Sequence, residues 1–137
     1  MTKCVYRKNG FAGFTLLELL LVVLIVGVLA AAIAPILRGR VDNAKWAEAN
    51  AAAGMIRNAV KVYHSEHGTA PTGSVGQTAV LNALAIGVQD LTGTYFVASD
   101  YSITAVNENG IATITVTGSL PNAPADSKTL HPDGRWE

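Results

Sequence analysis

An apolar run over residues 14–37, interrupted only by Thr15, Glu18 and Gly27, constrains this chain more than anything else in it. Wound as a helix, the run is roughly 36 Å long, enough to cross a hydrocarbon core about 30 Å thick. Arg38 and Arg40 close it on the far side, and Lys3, Arg7 and Lys8 stand before it. Basic residues on both flanks suit a single membrane span, and the cytoplasmic bias of Lys and Arg favours the N-terminus inside. Glu18 is the exception within the run. A carboxylate at membrane depth costs at least ~2.5 kcal/mol on insertion scales, so it calls for a partner. At the membrane interface it would instead snorkel into the headgroups.

The helical pattern does not stop with the apolar run. Residues 41–67 contain no proline and are rich in alanine, the strongest helix former. Val41, Ala44, Ala52, Met55, Ile56, Ala59, Val60 and Tyr63 recur at helical spacing and predict one apolar face, with Arg57, Lys61 and Glu66 largely elsewhere. His67-Gly68 followed by Pro71 reads as a helix end, glycine being free to take the left-handed cap. Residues 14–67 thus predict one helix roughly 80 Å long, whose N-terminal half must lie in lipid or among neighbouring subunits. Residues 69–76 read as a loop, and 78–91 as holding a short helix with Val80, Leu81, Leu84 and Leu91. Residues 101–105 and 112–117 alternate apolar and polar across a hairpin turn at Asn107-Glu108-Asn109-Gly110. Residues 128–130 and 135–136 suggest a further pairing around His131-Pro132-Asp133-Gly134. The predicted fold class is α+β. One long N-terminal helix carries a small antiparallel sheet on its C-terminal half, with Thr113, Thr115 and Thr117 facing solvent.

The stretch Gly13-Phe14-Thr15-Leu16-Leu17-Glu18, after a short basic leader and before the apolar run, resembles the prepilin signal of the type IV pilin-like family. An ordinary signal peptide is cut after its apolar segment and loses it. The resemblance implies a cut before that segment, between Gly13 and Phe14, with N-methylation of Phe14 by the same prepilin peptidase. It divides the chain into a leader (1–13), a membrane-spanning and fibre-core helix (14–40) and a soluble head (41–137), in a type IV pilin fold. Glu18 then stands fifth in the mature chain, where the family carries its glutamate. In a bundle of parallel helices it can neutralise the Phe14 amine of a neighbour, each half costing more alone than together. Gly27 and Pro35 fall where the family carries helix breakers, which let the fibre stretch; a membrane helix also tolerates both. Residues 62–68 with Pro71-Thr72 resemble the helix end of pilins and secretion pseudopilins.

The implied function is that of a structural subunit polymerised with copies of itself or related subunits. An inner-membrane assembly platform and its ATPase would extract it from the bilayer into an extracellular or periplasmic fibre. That fibre would be a pilus serving adhesion, motility or DNA uptake; the alternative is the pseudopilus of type II secretion. A secreted binding protein or enzyme cut near Ala30-Ala31-Ala32 is the reading of another class, and Glu18 within the apolar core argues against it.

Other chemistry has little support. Cys4 is the only cysteine and falls in the leader, so it offers neither an intrachain disulfide nor a multi-cysteine zinc site. The calcium site of major pseudopilins is not apparent: Asp126 and Asp133 are isolated and suit turns. His64 and His67 share a helix face with Glu66 nearby, but lack a third ligand at clear spacing and suit the helix C-terminal dipole. No nucleophile elbow or phosphate loop occurs, so the chain reads as non-enzymatic and without cofactor or metal. From Phe14 onward seven basic residues face ten acidic ones. That balance disfavours nucleic acid, though local basic patches leave that partner class open. Trp46 is expected at an interface and Trp136 in the core.

Overall fold

A computed structural model describes residues 13–137; Cys4 and most of the leader lie outside the described residues. Contacts divide the chain into two compact units, one ending at Gly39 and one spanning Arg40–Glu137. Helix α1, Leu16–His67, contributes to both and passes through Gly27 and Pro35.

In the Arg40–Glu137 unit α1 is followed by strand β1 (Gly73–Ser74), helix α2 (Thr78–Leu84) and strands β2 (Tyr101–Val106), β3 (Ala112–Thr117) and β4 (Ser127–Leu130). Short 3-10 turns at Val88–Leu91 and Ala98–Asp100 join α2 to β2. The four strands form one antiparallel sheet in chain order. A bridge from Leu130 to Trp136 folds the C-terminal residues back along β4. The expected elements are all present, and β1 is added where a plain loop was expected. α2 ends at Leu84, so Leu91 belongs to the 3-10 turn instead.

Gly68 ends α1 at φ 72°, its N–H donating to the His64 carbonyl, a backbone conformation that glycine adopts without strain. The period of two along the strands sorts their side chains. Tyr101, Ile103, Ile114, Val116 and Leu130 are buried against α1. Thr115 and Thr129 pair on the other face, with hydroxyls 3.1 Å apart.

The face that α1 presents to this sheet shares Ala52, Ile56, Ala59, Val60 and Tyr63 with the expected one but is shifted from it. Ala49, Ala53, Ile56 and Val60 are fully buried, a spacing of four, three and four that marks one helical stripe. Ala52, Ala59 and Tyr63 pack partly against the core, whereas Val41, Ala44 and Met55 are exposed. In an alanine-rich helix several stripes are almost equally apolar, and the periodicity does not separate them. The sheet selects the stripe whose small residues, Ala49 and Ala53, permit close approach.

Arg57, expected on the polar side, reaches into the sheet instead. Its Nη2 donates to the carbonyls of Ala112 (3.2 Å), Leu130 (3.5 Å) and His131. One side chain thus ties α1 to the start of β3 and to the end of β4. Burial lowers the guanidinium pKa, and the charge of Asp133 offsets part of that. Arg57→Met keeps much of the apolar stem but leaves these carbonyls without their charged donor. It is expected to cost the Arg40–Glu137 unit about 2–3 kcal/mol, read as a lowered thermal midpoint, with Lys61→Met as a control that changes it little.

Candidate functional site

The residues singled out by the sequence meet at the start of α1. Gly13, Phe14 and Thr15 precede the helix. Thr15 caps it: the Glu18 N–H donates to the Thr15 carbonyl at 3.1 Å and to its Oγ1 at 3.3 Å. Thr15-Leu16-Leu17-Glu18 therefore has the spacing of a capping box, a threonine cap with an acid at the third helical position. The partial positive charge of a helix N-terminus favours an acid there, so Glu18 has a local electrostatic role within its own chain.

Beyond the cap, none of the described residues covers the apolar side chains. Every large hydrophobic residue among positions 14–37 is between 50% and 83% exposed. Such a surface requires lipid or other protein around it. Gly27 and Pro35 lie within it, and Pro35 withholds one helical hydrogen bond.

The weaker candidates lie in the Arg40–Glu137 unit. His67 stacks on Tyr63, with ring centroids 4.1 Å apart, and its Nδ1 lies 3.1 Å from the Tyr63 carbonyl. His64 packs against Gly110, where a Cβ would come within 3.0 Å of its ring; Gly110 also takes φ 73° in the β2–β3 turn. Asp133 accepts from the Arg135 backbone and side chain within the C-terminal turn, which lowers its pKa. Among the described residues no three His, Cys, Asp or Glu side chains gather as metal ligands would. Trp46 and Trp136 lie together, with centroids 6.3 Å apart, both partly buried against the core.

Glu48 escaped the sequence reading altogether. Its carboxylate accepts the backbone N–H groups of Thr94, Tyr95 and Phe96 at 2.9–3.0 Å, fastening the segment before β2 onto α1. Burial, and then the charges of Glu48 and Asp100, push the Tyr101 phenol above its ordinary pKa.

Comparison with known proteins bears on the helix start directly. A family model described as the prokaryotic N-terminal methylation motif matches residues 8–34. The chain is 31% identical over 123 residues to fimbrial protein EcpC of Eikenella corrodens, covering 90% of this chain and 74% of that protein. It is 32% identical over 125 residues to type IV major pilin protein PilE1 of Neisseria gonorrhoeae, covering 91% and 63%. Against type II secretion system core protein G of Aeromonas hydrophila it is 33% identical over 76 residues, covering 56% and 53%. It thus spans less than two thirds of the last two. No solved structure matches significantly.

Proposed function

This chain belongs to the type IV pilin-like family, and from that membership we propose that it is a structural subunit polymerised through its N-terminal helix into a pilus. The observation that carries the proposal is the uncovered apolar half of α1 behind a Gly13-Phe14 junction. In this reading the prepilin peptidase cuts between Gly13 and Phe14 and methylates Phe14. The subunit then waits in the inner membrane with its apolar helix in lipid. An assembly platform and ATPase draw it into the fibre, where neighbouring helices replace the lipid. The chain acts as a building block rather than as an enzyme. Gly27 and Pro35 mark where α1 loosens when the fibre is pulled, since proline withholds one hydrogen bond and glycine favours the unwound backbone.

A pilus is favoured over a secretion pseudopilus because the two fimbrial relatives match over nine tenths of this chain, while core protein G matches over little more than half. The pseudopilin alternative keeps the same processing and the same helix-driven assembly.

Mass spectrometry of the mature protein is expected to find N-methylated Phe14 as its first residue. A charged side chain at the leader's last position would obstruct the peptidase, so Gly13→Asp should leave the leader attached, with Gly13→Ala processed slowly or partly. A mature terminus after Ala32 or Ala34 would overturn the pilin reading.

A further inference from the structure

Both tryptophans of the chain line one groove of about 270 Å³, formed by Asn43, Trp46, Ala47 and Asn50 on α1 and by Lys128 and Trp136. We propose that this groove binds an acidic sugar. The two indole planes are tilted by 54°, which makes a notch rather than a slot. A flat base could stack on only one wall, whereas a pyranose ring offers C–H groups to both. The polar lining supplies mainly donors. Trp136 Nε1 donates to Asn50 Oδ1 at 3.2 Å, which leaves the Asn50 amide N–H groups to face a ligand hydroxyl. Lys128 Nζ lies 4.9 Å from the Trp46 ring centroid and has no carboxylate partner among the described residues. Among the described residues no acidic side chain lines the groove. Stacking walls, amide donors and one ammonium together match a sugar ring bearing a carboxylate or sulfate. A nucleic acid fits worse, because residues 40–137 carry nine acidic against six basic side chains and would repel an extended polyanion.

Trp46 and Trp136 are the only tryptophans, so tryptophan fluorescence of the processed full chain, excited beyond the tyrosine absorption band, reports on this groove. The titration uses a detergent without a sugar headgroup and four probes: trigalacturonate, neutral galactotriose, acetate and oligothymidylate. Trigalacturonate is expected to change the emission saturably, galactotriose to bind more weakly, and acetate to give no saturation. Lys128→Gln should weaken trigalacturonate about two- to fivefold, as for a solvent-accessible ion pair, and leave galactotriose unchanged. Asn43→Ala, on the exposed surface of α1, should weaken both sugars alike while preserving the fold. The proposal is overturned if neither sugar saturates, or if Lys128→Gln leaves the preference for the acidic sugar intact. Saturation by acetate alone, or tighter binding of oligothymidylate than of trigalacturonate, overturns it equally.

Discussion

Glu48→Ala is expected to release the loop before β2 from α1, at a cost of about 2–4 kcal/mol. The carboxylate accepts three consecutive backbone N–H groups. Thr94 is exposed and can turn to water, but Phe96 is fully buried and Tyr95 is partly packed against the core. With Glu48 gone, those two donors lose a charged acceptor in a site poorly open to solvent. For a unit of this size the melting temperature should fall by at least about 8 °C. Glu48→Gln keeps an acceptor oxygen but not the charge, so it should retain roughly half of the stabilisation. Loosening also reaches Trp46, whose ring lies 5.3 Å from that of Phe96, and near-ultraviolet dichroism should weaken before the far-ultraviolet signal. The Tyr101 pKa should move down toward its ordinary value, because the variant removes a nearby negative charge and admits water. Gly93 supplies the second arm of the test: a Cβ there would fall 2.2 Å from Glu48 Oε1. Gly93→Ala should therefore destabilise the wild type strongly and add little to Glu48→Ala. A Glu48→Ala variant within about 0.5 kcal/mol of wild type, or full additivity with Gly93→Ala, would show that the clamp does not hold the loop.

Glu48 and Arg57 also mark the limit of what the sequence discloses. Each sits in an alanine-rich helix among other charges, and nothing local separates it from Lys61 or Glu66. What distinguishes them are main-chain partners between 46 and 74 residues away, and backbone N–H and C=O groups carry no sequence signature. The strands are a different case. Their alternation at 112–117 and the Asn107–Gly110 turn depend on neighbours in the chain, and both proved readable. β1 did not, because a strand of only Gly73 and Ser74 has too few residues to alternate and owes its pairing entirely to β2. The helix start was half legible. Glu18 stands out by its charge, whereas Thr15 interrupts the apolar run only as a small polar residue whose cap depends on where the helix begins.

That cap sharpens what substitution of Glu18 should do. Glu18→Ala removes a charge from the apolar segment, so membrane insertion should improve. The variant keeps Gly13 and Phe14, and cleavage should continue. Thr15 still caps α1 through its hydroxyl, since that bond uses the backbone N–H of residue 18, and the helix should start where it does now. On the proposed pairing of Glu18 with the Phe14 amine of a neighbouring subunit, fibre yield should nonetheless drop sharply, because that amine would lose its counter-charge in a water-poor core, and an unpaired buried charge costs about 3–5 kcal/mol. Glu18→Gln separates shape from charge: it preserves the side-chain volume and still leaves the amine unneutralised. A carboxylate serving only its own helix dipole is worth about 0.3–1 kcal/mol, too little to abolish assembly. The comparison is of processed subunit in the membrane with sheared fibre, for wild type, Glu18→Ala and Glu18→Gln. Insertion rising while fibre disappears in both variants is the expected result. Both variants assembling like wild type would leave Glu18 with its helix-dipole role alone, even in a chain that still polymerises as a pilin.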